Sequence, residues 1–375
     1  MTRQRKFFWG LGVGLGIVLA FESVTRLAGV AKCGPVLPEP GNWEEMLGDR
    51  DRLWKMRPNY VIPSPVGPPT RINAVGLRDD LLPESLGGPS KRRDEIRILT
   101  LGDSSVYGWG VPSGQTFQER LEKRLSDHFV SHSFEVINAG VPGYSSEQTL
   151  ALLEDVGWSY EPDVVVVSNL FSDANFDHFQ DRTALELTNP DPIGLSKILQ
   201  KSRSYCAVYM TLQHSKAKRG QQANRILMPG TPRDARWVTD SQHFGVESRV
   251  PLVEFEQNVR EIVTRAQQQG ARVVLAPLAQ EWDVGRWSMP QVEEPSLGDP
   301  LPWTPYRENL FSLAAELNLM HLSFAAVFKA SQKTANKLFS DAIHPTPDGA
   351  ELMAEALFQG FVKDPQWDLD QEVLP

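Results

Sequence analysis

Residues 163–168 read Asp-Val-Val-Val-Val-Ser. Four consecutive β-branched apolar residues do not fit a surface helix or a half-buried strand, because both interrupt their apolar positions periodically. A short run that is apolar at every position fits a strand covered on both faces. Such a strand needs a layer of helices on each side of its sheet, and the flanking sequence supplies helix and strand in alternation.

Four other segments have β character: 96–101 (IRILTL), 134–140 (FEVINAG), 271–278 (ARVVLAPL) and, more weakly, 319–324 (LMHLSF). Helical patterns separate them. Phe117, Leu121, Leu125 and Phe129 recur every four residues within 116–130. Leu252, Phe255, Val259, Ile262, Val263 and Ala266 mark 252–269, and Leu310, Leu313, Ala314 and Leu317 mark 306–317. Alternation of this kind predicts a parallel sheet between helical layers. The stretch 177–250 breaks it. Leu195, Ile198, Leu199, Tyr205, Cys206, Tyr209 and Leu212 share one helical face there, so it reads as an insertion, either an extra packed helix with loops or a lid over a cleft.

The N-terminal third differs. Arg3, Arg5 and Lys6 precede an uncharged run from Phe7 to Phe21, with Glu22 and Arg26 after it. Basic residues ahead of an apolar run follow the positive-inside pattern. A signal-anchor over 7–30 and a signal peptide cleaved after Gly29-Val30-Ala31 are both readable here, and the anchor is the expectation adopted. Either places the bulk of the chain outside the cytoplasm, in the periplasm or at the cell surface. Residues 35–70 hold eight of the 28 prolines and read as an extended linker or arm. The expected organisation is an N-terminal segment over 1–31, the arm over 32–95, a catalytic domain over 96–362 with its insertion at about 177–250, and a tail over 363–375.

A net charge of −9 argues against general nucleic-acid binding. The two cysteines, Cys33 and Cys206, form no C-x-x-C motif, so neither a zinc nor a redox motif is expected. The favoured expectation for them is a pair of free thiols, with a disulfide as the alternative in an oxidising compartment. Asp173, Asp177 and His178 lie close enough in sequence to suggest metal ligands, but a solvated loop is the preferred reading.

In an open parallel sheet, ligands bind beyond the carboxyl ends of the strands. The first strand is followed by Gly102-Asp103-Ser104, the second by Gly140-Val141-Pro142-Gly143, and the third by Asn169 through Asn175. Past the fifth comes Asp341-Ala342-Ile343-His344-Pro345. These loops supply a hydroxyl, flexible backbone donors and an Asp-His pair, which are the parts of nucleophilic acyl transfer. Thr346 can cap a helix that has Pro347 at its first position, which would hold Asp341 and His344 on a firm loop. Trp109 and Tyr144 suit either an acyl or sugar pocket or plain core packing.

LGDSSVYG, INAGVPGYSS and SDAIHPTPDG, in that order, resemble the GDSL, or SGNH, serine hydrolases over roughly 96–362. The upstream RINAVGLRDD is similar to a segment of membrane-anchored bacterial members. The resemblance implies a three-layer α/β/α fold with a flavodoxin-like five-stranded parallel sheet and an esterase acting on an acyl ester, acetyl among the candidates. It implies Ser104 as nucleophile, His344 as base and Asp341 as its orienting acid. It also implies an oxyanion hole from the Ser104 and Gly143 N–H groups plus a third-block side chain. The usual Gly-x-Asn-Asp of that block is altered here: alignment puts Ser172 at the Asn, with Asn175 as alternate. No metal or organic cofactor is implied. The substrate would be a small-molecule, polysaccharide or lipid ester, and membrane contact would run through the N-terminal segment. Transfer of the acyl group to a carbohydrate hydroxyl and a non-catalytic binding domain are the alternative functions.

Overall fold

The computed structural model describes residues 3–29, 44–64, 67–174, 180–182, 185, 199, 202–208, 211, 248–286, 288 and 301–364. Five parallel strands form the central sheet: β5 (Glu95–Gly102), β6 (Ser133–Gly140), β7 (Val164–Val167), β8 (Arg272–Leu275) and β9 (Met320–His321). Their spatial order is β6-β5-β7-β8-β9. All four residues of β7 are buried, as the valine run requires. This is the flavodoxin-like order, in which the chain reverses its direction of growth between β5 and β7. The crevice at that reversal lies beside the loops that carry Ser104 and Ser172.

The helices expected between the strands are present, with clear local causes. Helix α3 (Phe117–His128) starts at a capping box in which Thr116 and Glu119 satisfy each other's backbone N–H groups. Helix α4 (Ser146–Asp155) has the same device in Ser145 and Gln148. Helix α5 (Leu252–Gln268) packs on α4. The last helix, Pro347–Lys363, has Thr346 as its cap and Pro347 at its first position, and it packs against α3. Its Glu355 pairs with Arg124 of α3 at 2.8 Å.

The arm differs from its expectation. In place of an extended linker, much of it is folded against the sheet. Strands β1 (Met46–Asp49) and β2 (Leu53–Met56) form one antiparallel hairpin, and β3 (Val61–Ile62) pairs with β4 (Thr70–Arg71) in another. Met46, Leu53, Trp54, Met56, Ile72 and Leu77 are buried in the main core. Proline content masked them: Pro58 lies between the two hairpins, and Pro63, Pro65, Pro68 and Pro69 fall between β3 and β4 in sequence, with none within β1 or β2. The arm also covers β6, an edge strand. Asp79 accepts the Asn138 N–H at 2.8 Å, and Glu122 of α3 accepts the Val136 N–H at 2.9 Å. An edge whose donors are occupied is not open to pairing with another chain.

Helix α1 (Arg3–Leu27) contains the apolar run. Among the described residues no helix is long and apolar enough to cross a membrane. The side chains of 3–12 and 14–15 are outside the described set. The far end of α1 is docked: Glu22 accepts from the Ser202 hydroxyl at 2.6 Å and from the Ser204 N–H at 2.9 Å. Those residues begin a short helix, 203–208, that contains Cys206. Here the free-thiol expectation is corrected, because Cys206 is disulfide-bonded. The other cysteine of the chain, Cys33, lies outside the described residues, as do most of the 177–250 insertion and the tail from 365.

Candidate active site

Strand β5 ends at Gly102, and the chain turns at once into the four-residue helix α2 (Ser104–Tyr107). Asp103 makes that turn possible. It caps α2 by accepting the Ser105 N–H at 2.9 Å, and its side chain is fully buried. Burial pushes its carboxyl above the usual range, and the bonds it accepts only partly offset this. Asp103 is thus a structural corner, and Ser104 is the residue the corner presents. Beside it, Gly140 of β6 lies so close to α2 that a Cβ would come within 2.3 Å of the Tyr107 nitrogen. A glycine is required at that contact.

The loop before the last helix brings in the base. His344 Nε2 lies 2.8 Å from Ser104 Oγ, although the two are 240 positions apart. On the other side of the ring, Nδ1 lies 2.6 Å from Asp341 Oδ2. Asp341 Oδ1 also accepts the N–H groups of Ile343 and His344, at 3.0 and 2.9 Å. Desolvation raises the Asp341 carboxyl, but these bonds and the His344 ring outweigh it and hold it down to about 2. An ionised carboxylate can only accept, so Nδ1 must carry the proton. That leaves Nε2 as the acceptor for the Ser104 hydroxyl. The chain from carboxylate to imidazole to hydroxyl has the polarity that nucleophilic attack needs.

Three contacts fix the base loop. Ser105 donates its hydroxyl to the Ile343 carbonyl at 3.0 Å, which ties the base loop to the residue next to the nucleophile. The Glu281 N–H bonds to the Ala342 carbonyl at 3.0 Å. Phe339 and Pro345 close the loop as an isolated bridge. The Trp109 ring lies against His344, centroid to centroid 6.1 Å. Tyr144 does not line the site. It is fully buried, and its hydroxyl donates to the Trp54 carbonyl at 2.7 Å.

The oxyanion side is less complete than the third-block alignment implies. Gly143 takes a left-handed φ of 77°, which glycine tolerates, and its N–H has no acceptor among the described residues. The Ser104 N–H, in the first turn of α2, has no helical acceptor either. Ser172 is in the wrong bond for the role expected of it. Its hydroxyl, with one proton to give, donates to Asp103 Oδ2 at 3.3 Å. Asn169, at the start of the same block, is buried with its amide donating to Thr149 Oγ1 at 3.0 Å. Asn175 lies outside the described residues. Asp173 is buried and accepts the Ser146 N–H at 2.7 Å, and burial pushes its carboxyl up to about 7. Asp177 and His178 are outside the described residues, and no cluster able to hold a metal occurs among those described.

Sequence reasoning did not single out Trp54 and Arg249. Trp54 Nε1 donates to the Pro142 carbonyl at 3.0 Å. Arg249, fully buried, donates to the Gly143 carbonyl at 2.7 Å and pairs with Asp181 at 2.8 Å. Both come from segments with no periodic signal. A lone tryptophan in a proline-rich arm and an arginine at the end of an insertion give no local pattern to read.

The family model described as GDSL-like Lipase/Acylhydrolase matches residues 100–352. Among curated proteins none matches this sequence. Solved structures similar to this chain include an acetylxylan esterase from Geobacillus stearothermophilus. It is 15% identical with a TM-score of 0.43, and the match covers 71% of this chain and 93% of that one. Another is an alpha/beta hydrolase enzyme from the metagenome of Lake Arreo, Spain. It is 14% identical with a TM-score of 0.45, over 72% of this chain and 96% of that one.

Proposed function

Because the chain belongs to the GDSL-like lipase/acylhydrolase family and is therefore an ester-bond hydrolase, we propose that it works through Ser104, His344 and Asp341 by way of an acyl-enzyme. The single observation that carries this reading is the continuous hydrogen-bonded chain from Asp341 through His344 to Ser104, with links of 2.6 and 2.8 Å. Ser104 Oγ attacks the ester carbonyl while His344 Nε2 takes its proton, and Asp341 stabilises the imidazolium that results. The carbonyl oxygen becomes an oxyanion that accepts from the Gly143 and Ser104 N–H groups. Collapse breaks the ester bond, and His344 hands the proton to the departing alcohol. Water then attacks the acyl-enzyme with His344 as base, releasing the acid and restoring the serine.

The same reading places the protein outside the cytoplasm, attached to the membrane through residues 7–30, as in membrane-anchored family members. It draws support from the basic residues ahead of the apolar run and from the exposure of Ile17, Val18, Leu19 and Val24 on α1. The disulfide at Cys206 also suits an oxidising compartment. The domain limits of 32–95, 96–362 and 363–375 belong to this reading. The substrate is an acyl ester of a small molecule, lipid or polysaccharide, with acetyl among the candidate acyl groups.

The test is a series of p-nitrophenyl esters from acetate to palmitate, run with wild type and Ser104→Ala. Turnover by wild type that is absent in the variant supports the reading, and the ester turned over fastest gives the acyl length. Turnover surviving in Ser104→Ala overturns the mechanism. Acyl transfer is scored in the same assay by adding a free oligosaccharide and weighing the acylated product against released acid.

A further inference from the structure

A peptide group is planar and, in this chain, trans throughout the described residues. Its C=O and N–H therefore point in opposite directions, and holding one aims the other. The Pro142–Gly143 peptide is held at its carbonyl by Trp54 Nε1, at 3.0 Å. Its N–H is the Gly143 donor, which has no acceptor among the described residues. The loop leaves β6 beside the nucleophile corner, where Gly140 pairs in register with Gly102 and Val141 N–H bonds to the Gly102 carbonyl at 3.1 Å.

Trp54 is itself immobilised. It is 1% exposed, and its backbone carbonyl accepts from the Tyr144 hydroxyl at 2.7 Å. The Arg249 guanidinium lies 5.3 Å from its ring centroid. That same guanidinium binds the next carbonyl along, that of Gly143, at 2.7 Å. Both peptides that flank the Gly143 α-carbon are thus gripped at their oxygens, one by the arm and one by a buried ion pair. A glycine with left-handed φ is the residue least able to hold its own peptides in place, so the grip has to come from outside.

We propose that Trp54 is a positioning residue for ester hydrolysis: its indole N–H holds the Pro142 carbonyl and so aims the Gly143 N–H at the oxyanion. This rests on the reading of Ser104 as nucleophile and Gly143 as oxyanion donor. It gives the arm a place in the reaction. Removing an oxyanion donor outright costs about 10²–10³ in kcat in a well-studied case. Misdirecting one costs a part of that, about 10- to 100-fold.

The experiment uses the full chain with p-nitrophenyl acetate and a trifluoromethyl ketone, whose serine adduct bears the oxyanion. Trp54→Phe keeps a ring and removes the N–H. A second variant carries 3-benzothienylalanine at position 54, which preserves the shape of the indole and replaces N–H with sulfur, so folding is retained even if the phenylalanine variant fails. The expected result is a 10- to 100-fold fall in kcat, a parallel loss of ketone affinity, and KM within about threefold of wild type. A folded variant with kcat within twofold of wild type overturns the proposal, as does a fall in kcat with ketone affinity unchanged. Ser104→Ala in the same series separates the two readings. If that variant retains wild-type turnover, the nucleophile assignment is wrong. If it is inactive while the position-54 variants match wild type, only the positioning role is wrong.

Discussion

His344 Nε2 lies 2.8 Å from Ser104 Oγ, at the meeting of the first loop of the sheet and the last. The relationship depends on each loop having its own supports and on the Ser105 hydroxyl, which joins the two at the Ile343 carbonyl. Asp103 and Gly140 fix the serine corner, while Asp341, Glu281 and Ser105 fix the histidine loop.

Asp341 keeps the His344 ring in the tautomer that leaves Nε2 free to accept. Asparagine at 341 can donate to Nδ1 and so favours the wrong tautomer. In a well-studied triad the equivalent change costs about 10⁴ in kcat. The side chain here is half exposed, so solvent offsets part of the loss. Asp341→Asn should lower kcat by about 10²–10⁴ with KM nearly unchanged, measured in steady-state kinetics on p-nitrophenyl acetate.

Ser172→Ala distinguishes the alignment from the observed bond. If Ser172 were a direct oxyanion donor, its loss would cost about 10²–10³ in kcat. Its hydroxyl instead donates to the buried Asp103. The variant should therefore lose about 1 kcal/mol of stability, the usual worth of such a bond, and less than about tenfold in kcat. Thermal melting and kinetics on one preparation decide between the two.

Gly140→Ala places a Cβ within 2.3 Å of the Tyr107 nitrogen and 2.7 Å of the Val106 carbonyl carbon. Both are backbone atoms of α2, which cannot rotate away. Overpacking of this kind costs about 1–3 kcal/mol, and here it also displaces the helix that carries Ser104. A lowered melting temperature together with lowered kcat is expected, in contrast to Ser172→Ala, where stability changes more than turnover.

Burial holds Asp79, Glu122 and Asp173 up to about 7. Between the ordinary carboxyl range and that value the folded chain binds more protons at these sites than the unfolded chain does. Their contribution to stability is therefore present at low pH and is lost as pH rises from about 4 to about 7. Asp341, held at about 2, acts in the opposite sense, and its contribution is lost only as pH falls towards 2. Glu122→Gln keeps an acceptor for the Val136 N–H and removes one titration. It should flatten the fall in melting temperature between pH 4 and 7, and an unchanged slope would count against the assignment.

Much of this fold is legible in the sequence, because the sheet is built from short runs with strong patterns. The valines of β7, the four-residue spacing in α3 and the Thr346-Pro347 start of the last helix are local signals with local causes. Ser104, Asp341 and His344 were equally accessible, since each follows directly on a strand or precedes a capped helix. The support of the site was not accessible in the same way. Trp54 reaches Pro142 across 88 positions and Arg249 reaches Gly143 across 106, and no periodicity encodes such a pairing. The direction of the Ser172 hydroxyl is hidden for a related reason: alignment to a motif fixes a position in the chain, whereas a hydroxyl turns to the nearest acceptor, here Asp103.

The central claim is that Ser104 is the activated nucleophile, and intact-protein mass spectrometry after fluorophosphonate treatment tests it most directly. The account predicts a single adduct on wild type, mapped to Ser104 by peptide sequencing, and none on Ser104→Ala. It is contradicted if wild type stays unmodified under conditions that fully label a known serine esterase, or if Ser104→Ala is labelled to the same extent.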